Sequence, residues 1–275
     1  MGFAQVDQAP LVQGRLGAAR VSVLGAQGVR LTGLNSFHLD EGPDFAWLNI
    51  YRTLTAGRQL EITRERQPAA LEVVPGGAQV RWEASGEVEA ELSAFYAIVE
   101  GASAVDATFS AAVDAAYEGF ELFIANYFTP YYTPHYALAD NQTHPEDIFW
   151  YTKQWYGQGE SESWARDAAA EALFRDGRWL SGHALNWRRG PCYAFPLTIQ
   201  EHRYGHAIVL MARPRECFGI SGYNSYHNSQ YFHLGGEDLK PGEGFSSTVR
   251  LVLLHEWDDL HATALACYRE WVGEC

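Results

Sequence analysis

The sequence predicts a mainly β chain: a large two-sheet antiparallel β-sandwich with a C-terminal helix and one further short helix. Three observations carry this. Roughly a dozen short runs rich in Val, Leu and aromatic residues recur between turn signals. Strands are not alternated with helices, which argues against a parallel βαβ sheet. No repeat of fixed period appears, which argues against a propeller or solenoid. The 275 residues suit one domain spanning the whole chain, 1–275.

In the first half, strands are expected at 20–24, 28–34, 45–51, 59–64 and 71–74. The run 79–83 alternates Val80 and Trp82 around Arg81, and Gly76-Gly77 before it reads as a tight hairpin turn. Two longer strands follow at 88–99 and 104–113. In the second, Val105, Ala107, Phe109, Ala111 and Val113 share one face, while Asp106, Thr108, Ser110 and Ala112 share the other. A more apolar strand covers 120–128.

Residues 129–160 show no periodicity and contain Pro130, Pro134, Pro145, Gly157 and Gly159. A long stretch of this kind in a compact domain is functional or disordered, and its aromatic richness argues for order. It is expected to be an ordered loop over a face or mouth of the sheet. Alanine-rich 163–175 predicts a helix, with Gly177 as its left-handed stop. Strands resume at 193–201, 206–213, 216–222, 229–234 and 247–254, with a turn at Tyr204-Gly205 and a turn-rich connection over 235–244. The last segment, 259–272, is a helix: Asp258 or Asp259 caps it, and Leu260, Ala264, Cys267 and Trp271 form its apolar stripe, with Trp271 docking it.

Charge narrows the partners. Thirty-four acidic against 20 basic residues leave a net charge of −14, which argues against nucleic acid or an anionic membrane surface. No apolar run is long enough for a spanning helix, and no signal-peptide pattern opens the chain. The expected location is cytoplasmic, or secreted with the signal peptide removed. Cys192, Cys217, Cys267 and Cys275 form no C-x-x-C pair and read as incidental thiols. Phosphate-binding glycine loops, the G-x-S-x-G elbow and H-E-x-x-H are all missing from the sequence.

Chemistry must therefore come from constellations. Of 38 aromatic residues, 13 fall within 117–157. The segment 126–160 interleaves Tyr131, Tyr132, Tyr136, Trp150 and Trp155 with His135, Asn141, Gln142 and Asp147. Flat rings rimmed by hydrogen-bonding groups suit the C–H faces and hydroxyls of a sugar. The same composition suits a subunit contact in a homo-oligomer. A second group is Glu201 and His202, with His206 across a turn. As strand neighbours Glu201 and His202 point to opposite faces, whereas His202 and His206 approach each other and are able to hold a divalent metal or act as an acid–base couple. No motif requires a cofactor. A third group is Tyr226, His227, Tyr231 and His233, with Tyr231 and His233 on one strand face. Tyr and His together are unusual as core, because both polar tips need partners. A fourth is Arg188-Arg189, read either as a carboxylate or phosphate clamp or as surface ion pairing.

The run His227–Glu237, HNSQYFHLGGE, is similar to the His-x-Tyr-Phe-Asn-Leu run of galactose-mutarotase-like proteins, with His233 where that pattern has Asn and with the motif later in the chain. The Leu239–Glu243 turn and the final strand Val249–Leu254 resemble the close of supersandwich domains in that superfamily. The resemblance implies a supersandwich fold and an acid histidine at His227, with a carboxylate elsewhere as the base.

The expected function is a carbohydrate-active enzyme that works on a small, neutral saccharide by His/Tyr/Glu acid–base chemistry, as an epimerase, isomerase, lyase or glycosidase. The expected catalytic set is His227, His233, Glu201, His202 and Tyr231. The expected substrate contacts are Tyr131, Tyr132, His135, Trp150, Trp155 and Arg188. The alternatives are a non-catalytic carbohydrate-binding β-sandwich and an oligomeric β-sandwich whose aromatic loop is a subunit contact. The expectation of a neutral sugar rests on net charge, and clustering of distant cations such as Arg52, Arg64 and Lys153 would reverse it.

Overall fold

The computed structural model describes residues 4–5, 11–16, 19–24, 33–36, 46–139, 148–152, 160–179, 188–224 and 227–273. The strands are β1 (Ala4–Gln5), β2 (Leu11–Leu16), β3 (Ala19–Leu24), β4 (Gly33–Ser36), β5 (Asn49–Thr55), β6 (Arg58–Glu61), β7 (Ala70–Val74), β8 (Gly77–Trp82), β9 (Ala90–Ile98) and β10 (Ala104–Val113). They continue with β11 (Tyr117–Phe128), β12 (Tyr132–Ala139), β13 (Ile148–Thr152), β14 (Glu160–Ala165), β15 (Arg188–Arg189), β16 (Tyr193–His202), β17 (His206–Ala212), β18 (Cys217–Asn224), β19 (Asn228–Leu239) and β20 (Gly244–Leu254). Helix α1 (Ala168–Leu173) lies between β14 and β15, and α2 (Leu260–Val272) closes the described chain.

Two large sheets make the sandwich. One has nine strands in the order β13-β12-β16-β17-β20-β10-β9-β8-β7 and the other seven in the order β15-β14-β18-β19-β11-β5-β6, while β1–β4 form a small meander. Among the described residues every pairing is antiparallel except the short β14–β15 contact. Period-two burial builds the layer between the sheets. Leu122, Ile124, Ile220 and Phe232 of one sheet pack with Val105, Phe109, Leu210 and Leu251 of the other. On β10 the buried residues are those that alternation predicts, with Asp106, Thr108 and Ser110 only half-buried on the opposite face.

The two outer faces are treated differently. Over the nine-stranded sheet lies α2, which packs Leu260, Ala264 and Tyr268 against Ala137, Leu197, Val209 and Met211. Asp259 caps this helix by accepting from Ala262 N, and Gly273 ends it at φ 82°. Tyr268, rather than Trp271, is the fully buried anchor: residues 260, 264 and 268 lie on one line, and Trp271 is at the margin under Arg213 and Arg250. Over the seven-stranded sheet α1 covers one end, where Phe174 packs on Phe218. Gly219 permits that approach, since a Cβ there would meet the Phe174 ring at 2.4 Å.

Two expectations are corrected. The helix expected at 163–175 is a six-residue helix preceded by a strand: β14 pairs with β18 through Ser161, Ser163 and Ala165, and α1 begins only after Asp167, whose carboxylate accepts from Ala170 N. The aperiodic loop expected at 129–160 contains β12 and β13. Its alternation is hidden because β12 is buried on both sides: Tyr132 and Tyr136 face the other sheet, and Ala137 faces α2.

Candidate functional site

Strands β11, β18 and β19 turn their odd-numbered side chains outward on the seven-stranded sheet, and β5, paired to β11 through a register shift, adds Tyr51, Arg52 and Leu54. β11 supplies Glu121, Phe123 and Tyr127, and β19 supplies Ser229, Tyr231 and His233. Antiparallel register sets Phe123 opposite His233 and Ala125 opposite Tyr231. The result is a continuous layer of packed, largely buried rings. Phe123 stacks on Tyr231 at 4.7 Å between ring centres and lies 4.8 Å from the His233 ring, and Tyr127 meets His227 edge-on at 5.1 Å. Trp179 stands edge-on to Phe123 at 5.0 Å.

Two parts of this face differ in chemistry. At the covered end is a buried ionic network. His233 Nδ1 is 2.6 Å from Glu121 Oε1, and Arg178 Nη1 donates to Glu121 Oε2 at 2.5 Å. His233 Nε2 is 2.7 Å from Ser221 Oγ, which is 2.7 Å from Ser163 Oγ. Glu121, Arg178, Ser221 and His233 are fully buried. Burial alone would raise the Glu121 carboxyl, but the charges of His233 and Arg178 outweigh it and hold the group below its ordinary value. Burial likewise works against the Arg178 guanidinium, but Glu121 and Asp176, the latter at 2.7 Å, together outweigh it and hold the group above its ordinary value.

At the other end the surface is aromatic and cationic. Tyr51 packs against Phe123 and Tyr127, and two guanidinium groups lie over its ring, Arg64 at 3.8 Å and Arg52 at 4.5 Å. Ser229 Oγ is 2.9 Å from His227 Nδ1, with Tyr223 5.9 Å from the same ring. Burial pushes the phenols of Tyr127 and Tyr231 well above the ordinary tyrosine value, so both remain protonated donors at neutral pH.

Of the residues singled out from sequence, His227, Tyr231 and His233 come together on this face, and Tyr127 is the aromatic of 126–160 that joins them among the described residues. The others lie elsewhere. Tyr132 packs between the sheets, where its hydroxyl is 3.1 Å from His206 Nε2. His202 stacks on His206 at 4.2 Å, as neighbours across a hairpin do. Tyr131 is half exposed under the Arg203 guanidinium, 3.7 Å away. On the outer face of the nine-stranded sheet, His135 bridges Glu201 at 3.2 Å and His261 at 3.0 Å, and Trp150 stacks on His261 at 4.3 Å. Trp155, Tyr226 and Lys153 lie outside the described residues, and of Arg188 only the backbone is described, in β15 beside β14. Among the described residues no group of three or more His, Cys, Asp or Glu is arranged to hold a metal ion.

Sequence reasoning missed Glu121, Arg178, Ser221, Tyr51 and Trp179. Glu121 carried a signal: a carboxylate inside the most apolar strand, on the phase that also holds Phe123 and Tyr127.

No protein-family model matches the chain, and no curated protein matches it. Solved structures do. An α-N-acetylgalactosaminidase, NagBb from Bifidobacterium bifidum, superposes with a TM-score of 0.56 at 12% identity over 95% of this chain and 39% of that one. A GH36 α-galactosidase, AgaB from Geobacillus stearothermophilus, gives 0.51 at 10% identity over 93% and 41%. The Slr1438 protein from Synechocystis sp. PCC 6803 gives 0.54 at 11% identity over 92% and 95%. This chain thus spans less than half of each of the two glycosidase chains and nearly all of the cyanobacterial one. The likeness is one of fold, a large two-sheet antiparallel β-sandwich. Among the described residues no helix is long and apolar enough to cross a membrane.

Proposed function

We propose that the chain is a carbohydrate-active enzyme that binds a saccharide on the outer face of the seven-stranded sheet and moves protons on it by acid–base chemistry. The supporting observation is that face. It sets partly buried Tyr51 and buried Phe123, Tyr127 and Tyr231 side by side with His227, Ser229 and two arginines, on the side of the sheet away from the layer between the sheets. Rings take the C–H faces of a sugar, and the hydroxyl, imidazole and guanidinium groups take its oxygens.

On this reading His227 carries the proton, oriented by Ser229 at Nδ1. Tyr127 and Tyr231, held protonated, donate to substrate oxygens. An imidazole beside phenols of high pKa separates the acid and base roles. The set suits an epimerase or isomerase better than a glycosidase, which uses two carboxylates about 5–10 Å apart. Glu121, the carboxylate β11 turns to this face, is fully buried and bound by Arg178 and His233. That same burial favours the second reading, a binding module without turnover.

The test measures anomeric exchange by NMR and polarimetry on a panel of hexoses and hexose derivatives, with binding followed by saturation-transfer NMR. Exchange above the spontaneous rate is expected, with a loss of about 10²-fold in His227→Gln at an unchanged melting temperature. Binding without turnover of any saccharide would establish the module reading. No binding of any saccharide would overturn both.

A further inference from the structure

We propose that Arg52 and Arg64 make this face a reader of acidic sugars, with the two guanidinium groups receiving a carboxylate, phosphate or sulfate carried by a saccharide whose ring lies on the neighbouring aromatic surface. The inference rests on the saccharide reading above and names the substrate class.

Three other arginines with little side-chain exposure each meet a carboxylate. Arg66 donates to Glu61 at 3.0 Å, Arg250 to Asp106 at 2.6 and 2.7 Å, and Arg178 to Glu121 and Asp176. With 34 acids against 20 bases, such partners are in surplus. Among the described residues Arg52 has none: its donors go to Gln59 and, at 2.9 Å, to the Tyr51 hydroxyl. Among the described residues Arg64 has one such partner, its sequence neighbour Glu65, 3.8 Å away and 57% exposed, while its own side chain is 16% exposed. The buried Nε of each arginine has no hydrogen-bond partner.

Both guanidinium carbons lie within 4.5 Å of the centre of the Tyr51 ring, so two like charges share one small region. The ring face attracts each cation, and their mutual repulsion opposes that gain. One bound oxyanion relieves the repulsion and supplies acceptors to both groups, and planar guanidinium forks suit carboxylate, phosphate and sulfate alike. The net charge of −14 does not forbid this. Screening confines the mean field to about a Debye length, roughly 8 Å at physiological salt, while contacts inside a partly desolvated pocket are screened much less. On this inference the sugar is acidic, where composition alone leads to the expectation of a neutral one.

The experiment compares one hexose with its uronate, its 6-phosphate and its 6-sulfate, and with inorganic phosphate and sulfate alone, by isothermal titration at low and physiological salt. At least one acidic hexose is expected to bind about tenfold or more tightly than the neutral parent, as charge-assisted hydrogen bonds imply. The three acidic arms identify which group is read. In Arg64→Met and Arg52→Met the ratio of acidic to neutral affinity falls towards one, and Arg64→Lys restores part of it. Melting curves and near-ultraviolet dichroism verify that each variant is folded. Neutral hexose binding as tightly as every acidic form overturns this inference and leaves the saccharide reading standing. Inorganic anions binding as tightly as the acidic sugars overturns the sugar part of it. No binding of any sugar removes both.

Discussion

On the outer face of the nine-stranded sheet, His135 sits between Glu201 and His261 of α2, whereas on that of the seven-stranded sheet His233 sits between Glu121 and Ser221. The residue types match and their surroundings do not. The Glu201 side chain is 41% exposed, and burial together with His261 holds the His135 imidazole below its ordinary value, so that pair is largely neutral imidazole beside a solvated carboxylate. Glu121 and His233 are wholly buried, and Arg178, also wholly buried, completes the charge balance. A helix covers the first face mainly through apolar packing, with His261 of that helix reaching His135 at its edge. The second face carries ionic groups that a stable core does without, and such groups are costly unless every partner is present. Ionic machinery kept at that cost, next to an aromatic and cationic surface, is the reason to place function on the second face.

The largest test of the comparison is Glu121→Gln. Removing the carboxylate leaves the Arg178 guanidinium and His233 in an apolar enclosure, with Asp176 as the remaining acid. Loss of one member of a buried pair costs about 3–5 kcal/mol, a large share of a domain's stability. The expectation is a fall of that size in urea unfolding, partly recovered in the Glu121→Leu/Arg178→Met double variant. A loss below about 1 kcal/mol would show that the network is solvated in solution and would remove the contrast between the faces.

Next is Tyr268→Ala, which empties the centre of the α2 contact. Phe and Trp truncations in cores cost about 3–5 kcal/mol, and a buried tyrosine falls near the lower figure. Trp271→Ala, at the edge, should cost clearly less. Equal losses would mean that Trp271, partly buried against the same cluster, docks the helix as strongly as Tyr268.

What could be read from sequence follows from which faces are buried. β10 is buried on one side, so its alternation was visible and its bounds were right at 104–113. The shared face of Tyr231 and His233 follows from the same period of two. β12 is buried on both sides, so Tyr132, His135, Tyr136 and Ala137 showed no alternation and passed for a loop. Alanine content made 163–165 look helical, because propensity carries no information about β18, the strand that pairs there. The Arg52–Arg64 cluster depends on a register shift between Phe123 and Ile124 against β5 and on a short helical turn at Thr63–Glu65, neither of which has a sequence signature.

A third prediction concerns pH. Burial lowers the imidazoles of His135, His202, His206 and His261, and His206, pressed also by His202 and His255, is held at about 4. Between about pH 6.5 and pH 4 the unfolded chain therefore binds protons that the folded chain refuses, and stability falls as pH drops through that window. His206 is partly exposed, which reduces its share to about 1 kcal/mol. The melting temperature should decline from pH 7 to pH 5, and His206→Gln should flatten that decline. A melting temperature independent of pH over that range would mean that these rings are solvated.

The smallest effect is expected at Glu201→Gln, the counterpart of Glu121→Gln on the other face. Its carboxylate meets His135 at 3.2 Å but is 41% exposed, so water replaces the imidazole when the charge is removed. Exposed pairs contribute about 0–1 kcal/mol, and a glutamine keeps an acceptor oxygen for the ring. The expected change in unfolding free energy at pH 7 is below about 0.5 kcal/mol, several times less than for Glu121→Gln. The pH dependence adds a second readout. Glu201 favours the charged form of His135, so the glutamine variant should lower the His135 midpoint in a proton NMR titration. A destabilisation as large as that of Glu121→Gln would mean that the two faces hold their carboxylates in the same way, and the assignment of function to one of them would lose its physical basis.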